Sequence, residues 1–249
     1  MVYSFNSRIR YSETDNKGRL TFPALMDYFQ DTSTFHGEDN GLSIEHLYEN
    51  DLAWMLGSWQ VRIFKTAELN DHVKLSTWVY KFRHCLGYRH YSMHNEDGTL
   101  CAIADSQFIL MNFSKMTPAT IDKTFFEGYT LEPERRVDLK LPRKIYSAEE
   151  ETPFEPFAVP QYMIDTNGHV NNVQYIKTAM AYLPKEFEFN CFRCDYKKQA
   201  HAGDIFRPAV SKLTDGYQVK IYDTDNTLFF IGEWTYDSEQ SGEQYAIDR

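Results

Sequence analysis

The sequence predicts an α+β protein of two tandem modules, each a long helix wrapped by an antiparallel sheet, the two sheets joining into one continuous sheet. Three observations carry this. Aromatic residues are 16% of the 249, with 17 Tyr and 18 Phe, a supply suited to large apolar sheet faces. Apolar spacing is helical in two stretches and two-residue alternating in most others. The pattern also restarts: Asp15-Asn16-Lys17-Gly18-Arg19-Leu20 is matched by Asp165-Thr166-Asn167-Gly168-His169-Val170, 150 residues later. A sheet with one apolar face is buried compactly around a helix, and two such units that continue each other's sheet remove two exposed edges.

Residues 3–12 alternate at Tyr3, Phe5, Ile9 and Tyr11 and read as a strand. A turn over 14–19 leads to a helix from Phe22, with Pro23 in the first turn, where its missing N–H costs nothing, and a stripe of Leu25, Met26, Phe29 and Phe35. Ser43 is placed to cap a second, short helix through Ile44 and Leu47. From Trp54 the period becomes two, with Trp59, Val61, Ile63 and then Val73, Leu75, Thr77, Val79 as alternating sets. Asn95-Glu96-Asp97-Gly98 is a hairpin turn between the runs 88–94 and 99–113.

The segment 131–160 holds five of the nine prolines and the run Glu149-Glu150-Glu151, and reads as a connector laid over the surface. The modules are then 1–130 and 159–249, with 131–158 between them. In the second, a turn at 165–168 precedes a helix over 172–183 closed by Pro184, then strands over 188–196, 204–213, 217–222 and 227–236. At the equivalent turn the first module has Arg19, Thr21 and Phe22 where the second has His169, Asn171 and Asn172. That asymmetry points to chemistry in one half and binding or bracing in the other.

The 26 basic and 36 acidic residues give a formal charge of −10, the reverse of a nucleic-acid binder. No run approaches the ~18 apolar residues of a membrane span. The start, Met1-Val2-Tyr3-Ser4, lacks the basic and apolar regions of a secretory signal, and 4 cysteines fit a reducing compartment, so a cytoplasmic protein is expected.

Chemistry concentrates at 165–175, where a carboxylate, amides and an imidazole enter a helix. Free N–H groups at a helix start attract the negative charge that develops on an acyl oxygen, and a nearby carboxylate or imidazole can activate water. The same residue types also serve as turn formers and N-caps at Asp165, Asn167 and Asn171, and as packing at His169. Cys191-x-x-Cys194 falls in a strand, where i and i+3 face opposite sides, and His90 and His94 would stand ~13 Å apart on one. Both pairs read as packing, so no metal and no cofactor is expected. His201 follows Ala200 and reads as a solvated loop histidine, facing the site being the other reading, and Trp54, Trp59 and Trp78 read as core and pocket wall.

The segment resembles the acyl-acyl-carrier-protein thioesterase family, whose members are two fused hot-dog modules. The resemblance rests on Asp165, Asn167, His169-Val170-Asn171-Asn172 and Tyr175, on Asp195-Tyr196-Lys197-Lys198-Gln199-Ala200, and on the duplicated layout, and covers essentially the whole chain. It implies hydrolysis of a fatty acyl thioester on carrier protein to free fatty acid, ending fatty acid synthesis. Plant members carry a transit peptide; this chain shows none and is similar to the bacterial branch.

Position by position, Asp165, Asn167 and His169 match the family's catalytic residues. Its catalytic Glu falls at Gln199 and the plant Cys at Ala200. A glutamine orients water but accepts no proton, which leaves the base role to Asp165. Thiols leave readily, their pKa being only ~8.5, so no strong general acid is required. N–H groups near Asn171 and Asn172 would hold the oxyanion, and the first module, through its helix and 52–64, would shape an acyl tunnel.

The partner implied is acyl carrier protein with its phosphopantetheine-linked chain. It is acidic, and Arg135, Arg136, Arg143, Lys144, Lys197 and Lys198 are the candidate docking residues, a solvated charged face being the other reading. An acyl-CoA hydrolase of the same shape and a non-catalytic acyl-carrier binding protein disabled at Gln199 are the rival functions. The fused pair mimics a hot-dog dimer and leaves a further homodimer open.

Overall fold

The computed structural model describes residues 1–122, 124–239 and 242–245. They form two compact units. One comprises Met1–Gly57 and Val61–Leu139 with 242–245, the other Ser58–Gln60 and Lys140–Glu239.

The first unit contains β1 (Tyr3–Arg8), α1 (Phe22–Asp39), α2 (Ile44–Glu49), β2 (Leu52–Ile63), β3 (His72–Arg83), β4 (Leu86–Asn95), β5 (Leu100–Asn112) and the short β6 (Thr117–Pro118). Its strand order is β1-β3-β4-β5-β2, with β6 on β5. Helix α1 begins where the Thr21 hydroxyl accepts the Ala24 N–H at 3.4 Å, with Pro23 just inside, and buries Phe22, Leu25, Met26, Phe29, Thr32 and His36 along one face. Phe35 falls outside that stripe. It is 43% exposed and meets Phe5 edge-on at 5.4 Å. Ser43 caps α2 by accepting the His46 N–H at 3.0 Å. The β4–β5 hairpin closes with the Asn95 N–H on the Thr99 carbonyl at 3.0 Å.

The second unit contains short β7 (Thr152–Pro153) and β8 (Phe157–Ala158), then α3 (Asn172–Met180), β9 (Cys191–Tyr196), β10 (Ile205–Lys212), β11 (Gly216–Tyr222) and β12 (Leu228–Thr235). The order is β9-β12-β11-β10-β7, with β8 on β10. Helix α3 has 9 residues against the 18 of α1, so the expectation of a long helix in each module holds only for the first. Its last turn tightens, with the Leu183 N–H on the Met180 carbonyl at 3.2 Å, because the residue before Pro184 is driven out of helical geometry.

Hydrogen bonds reproduce the repeat. In the first unit Ile9 donates to Asp71 O at 2.9 Å, Leu20 to Ala67 O at 2.8 Å and Thr21 to Glu13 O at 2.9 Å. In the second, Val159 donates to Asp204 O at 2.8 Å, Val170 to Ala200 O at 2.8 Å and Asn171 to Met163 O at 2.9 Å. Each turn therefore hangs on the loop that follows a strand, 67–71 in one unit and 200–204 in the other.

Trp59 and Val61 are buried as the alternation predicts, yet Gln60 and Arg62 between them are buried too. The connector covers that second face. Within the first unit, Arg62 Nε donates to Leu139 O at 2.5 Å, Trp78 Nε1 to Arg135 O at 3.0 Å, and the Val137 N–H to His90 Nε2 at 3.0 Å. Within the second, Gln60 donates to Leu141 O at 2.5 Å, Arg193 to Pro142 O at 2.7 Å, Gln218 to Tyr146 O at 2.9 Å and Lys220 to Ala148 O at 2.7 Å. A proline-rich strap builds little secondary structure of its own, so polar side chains on the sheet satisfy its backbone.

Candidate active site

The turn before α3 is closed at its neck by an antiparallel bridge between Ile164 and Val170. Inside it the Asp165 N–H reaches the His169 carbonyl at 2.9 Å and the Gly168 N–H reaches the Asp165 carbonyl at 3.0 Å. Gly168 sits at φ 77, left-handed backbone that costs a side-chain-bearing residue strain; Gly18 does the same at φ 76. The Asp165 side chain accepts the Asn167 N–H on Oδ1 at 2.8 Å, while Oδ2 accepts from no group among the described residues. In the first unit Asp15 is fully engaged. Its Oδ1 accepts the Lys17 and Arg19 N–H groups at 2.8 and 2.9 Å, and its Oδ2 takes Arg19 Nε at 3.1 Å. Asp165 and His169 are half-buried and Asn167 is exposed.

At the start of α3, Asn171 Oδ1 accepts the Val173 N–H at 2.9 Å and the Asn171 N–H is engaged by Met163. The Asn172 N–H meets no acceptor among the described residues, and the Asn172 carbonyl receives the Tyr196 hydroxyl at 3.0 Å. Of the two helix-start residues, only Asn172 has its backbone donor unengaged.

Ala200, next to Gln199, is tied to this turn by the Val170 N–H on its carbonyl at 2.8 Å and to α3 by Tyr175, whose hydroxyl accepts the Ala200 N–H at 2.9 Å. Burial drives the Tyr175 hydroxyl pKa well above its ordinary value, so it stays protonated. Gln199 is half-buried, and its amide has no hydrogen bond among the described residues. His201 fits both of its sequence readings: its side chain is 61% exposed, and its ring packs on His169 with centroids 4.7 Å apart. The signal for it was its position two residues beyond the expected Glu. Burial first, then the His201 charge, hold the His169 imidazole below its ordinary pKa, against the pull of Asp165. His169 Nδ1 is buried without a partner among the described residues.

The basic residues do not all present free charge. Lys197 Nζ lies 2.6 Å from Asp195 and Lys198 Nζ 2.8 Å from Asp223, Arg135 lies 3.4 Å from Glu132, and Lys144 stacks over Tyr146 at 4.5 Å. Arg136 and Arg143 are exposed. Cys191 and Cys194 are both buried in β9. A cavity of about 400 Å³ between β7, β10 and β11 is lined by Glu151, Phe154, Arg207, Tyr222 and Asn226, and no residue of the 165–169 turn reaches it.

The model of the acyl-ACP thioesterase N-terminal domain matches residues 1–129, and that of the C-terminal domain residues 146–235. The chain belongs to the acyl-ACP thioesterase family. Its duplicated turns, one locked by arginine and one carrying histidine, are thus the two domains of this family. A chloroplastic palmitoyl-acyl carrier protein thioesterase of Cuphea hookeriana is 26% identical over 203 residues, 75% of this chain and 48% of the relative, so the match spans about half the relative's length. An acyl-ACP thioesterase from Bacteroides thetaiotaomicron shares the fold at TM-score 0.85 and 19% identity, with 95% of this chain and 98% of that one covered. A 12:0-ACP thioesterase from Umbellularia californica does so at TM-score 0.78 and 15% identity, with 95% and 97% covered.

Proposed function

We propose that this family member hydrolyses fatty acyl-ACP thioesters to free fatty acid and carrier protein, with the chemistry in 159–249 and the acyl pocket in 1–130. One observation carries the mechanism: Asp165 keeps a carboxylate oxygen unengaged beside the start of α3, where its counterpart Asp15 is closed by Arg19. Asp165 takes a proton from water as the water oxygen bonds to the thioester carbon. The oxyanion forms against the Asn172 N–H, where the helix dipole adds positive potential. The C–S bond then breaks and the thiolate leaves. Asn167, His169 and Gln199 position water and carbonyl.

The residues offered to the acidic carrier protein are Arg135 and Arg136 in the first unit and Arg143, Lys144, Lys197 and Lys198 in the second. The cytoplasm is the compartment proposed; among the described residues no helix is long and apolar enough to cross a membrane.

The decisive experiment is free-thiol release from acyl-ACP thioesters of several lengths and from the matching acyl-CoA esters, with wild type and Asp165→Asn side by side. Release from ACP esters by wild type alone supports the reading. Preference for CoA esters overturns the substrate. Tight acyl-ACP binding with no release from any ester favours the second reading, a binding protein, for which Gln199 is the specific observation.

A further inference from the structure

We propose that His201 is a positioning residue of this site: packed on His169 and tied to Asp204, it relays the proton that Gln199 is unable to accept. The inference rests on the thioesterase reading above and extends it to a residue outside the matched motif.

Four observations place His201 against the solvent-facing side of the site, where its side chain stays 61% exposed. Its ring lies 4.7 Å from that of His169, tilted by 58°. Asp204 Oδ2 accepts the His201 N–H at 2.8 Å, which fixes the backbone, and stands 3.8 Å from Nδ1, within ion-pair range of the ring. Its neighbour Ala200 is anchored by the buried Tyr175 hydroxyl. His169 itself has a buried, unpartnered Nδ1.

The repeat separates what the fold needs from what the site needs. In the first unit Asp71 Oδ2 accepts the Glu68 N–H at 2.9 Å, the same bond that Asp204 makes to His201. The aspartate is therefore part of the loop's architecture in both halves. The imidazoles are not: Glu68 stands where His201 does, and Arg19 where His169 does. Only the half with the unengaged carboxylate carries the pair.

The pair solves a proton problem. Hydrolysis moves one proton from water to Asp165 as the O–C bond forms, and Asp165 must shed it before the next turnover while the released thiolate takes one up. A neutral His169 takes the proton from Asp165, and the exposed His201 ring passes it to solvent, from which the thiolate is protonated. Asp165 on its own turn acts on His169 and Asp204 on His201, and Lys198 on the following loop and Tyr175 on α3 interact in turn with Asp204.

The test compares wild type with His201→Gln in pH profiles of kcat and kcat/KM on an acyl-ACP thioester, together with NMR titration of His169 and thermal melting. His201→Gln is expected to lower kcat about 10- to 100-fold, with KM and melting temperature unchanged. With the like charge gone, His169 is expected to titrate at higher pH, and the acidic limb of the profile to move up with it. An unaltered profile and His169 titration with wild-type kcat overturns the relay. A loss confined to KM, or one that follows a fall in melting temperature, overturns it too. If wild type releases thiol from no ester, the thioesterase reading fails and the relay falls with it, whatever the NMR shows; if wild type and His201→Gln hydrolyse alike, the relay alone fails.

Discussion

Asp15 and Asp165 occupy the same turn of two repeated modules, and only Asp15 has its second carboxylate oxygen closed, by Arg19 Nε at 3.1 Å. Duplication gave two copies of a helix-entry turn, and one side chain four residues on decides which carboxylate remains available. Asp165→Asn is expected to cut kcat by at least about 10²-fold with the fold intact, because the amide keeps the Asn167 N–H but accepts no proton. Asp15→Asn is expected to leave kcat unchanged and cost about 0.5 kcal/mol in denaturant unfolding, the scale of a half-exposed ion pair. Equal, mild effects of both on hydrolysis would remove the base assignment from Asp165.

Gln199→Ala is expected to weaken hydrolysis only several-fold, since an amide without a hydrogen bond among the described residues supplies orientation alone. Steady-state kinetics on the acyl-ACP series checks this. A loss as deep as that of Asp165→Asn would make Gln199 the centre of the site.

The repeat, the cap at Ser43 and the hairpin at Gly98 were legible because each depends on local chemistry. A turn aspartate, a hydroxyl before a helix or a glycine at positive φ acts on its own neighbours. The turn at 165–169 was legible for the same reason. Three things were not. Helix α3 stops at Met180 because the chain must leave before Pro184, whereas the apolar pattern runs on. Gln60, Arg62 and Lys220 are buried by a strap far away in sequence, which alternation cannot register. That His201 faces the site was only one of two open readings, because its contact with His169 depends on two loops tied together at Ala200, which the spacing of neither records.

Lys220 is 1% exposed on β11, with Glu151 at 2.7 Å and the Ala148 carbonyl at 2.7 Å as its partners. Glu151→Ala is expected to cost about 3 kcal/mol, because it leaves a buried ammonium without its counter-charge. The double change Lys220→Met with Glu151→Gln is expected to recover most of that loss. Chemical denaturation of the three proteins checks it. A double variant no more stable than Glu151→Ala would show that the strap depends on the ion pair itself rather than on avoiding a lone charge.

His36 contributes to the pH dependence of the first unit. It is 3% exposed on α1, and its Nδ1 lies 2.8 Å from Arg89 Nη1, so the neutral ring accepts from the guanidinium. Burial, then the Arg89 charge, lower its pKa from 6.5 to about 3. Between those values the unfolded chain binds a proton that the native state refuses. Its contribution is therefore complete above about pH 6.5 and is lost as pH falls toward 3, by about 1.4 kcal/mol for each unit. His36→Gln keeps an acceptor for Arg89 and does not titrate. The stability difference between wild type and this variant, followed by denaturant melts from pH 7 to pH 4, is expected to move against wild type with that slope. Parallel pH curves would mean that His36 takes its proton in the folded state and that Arg89 yields to it.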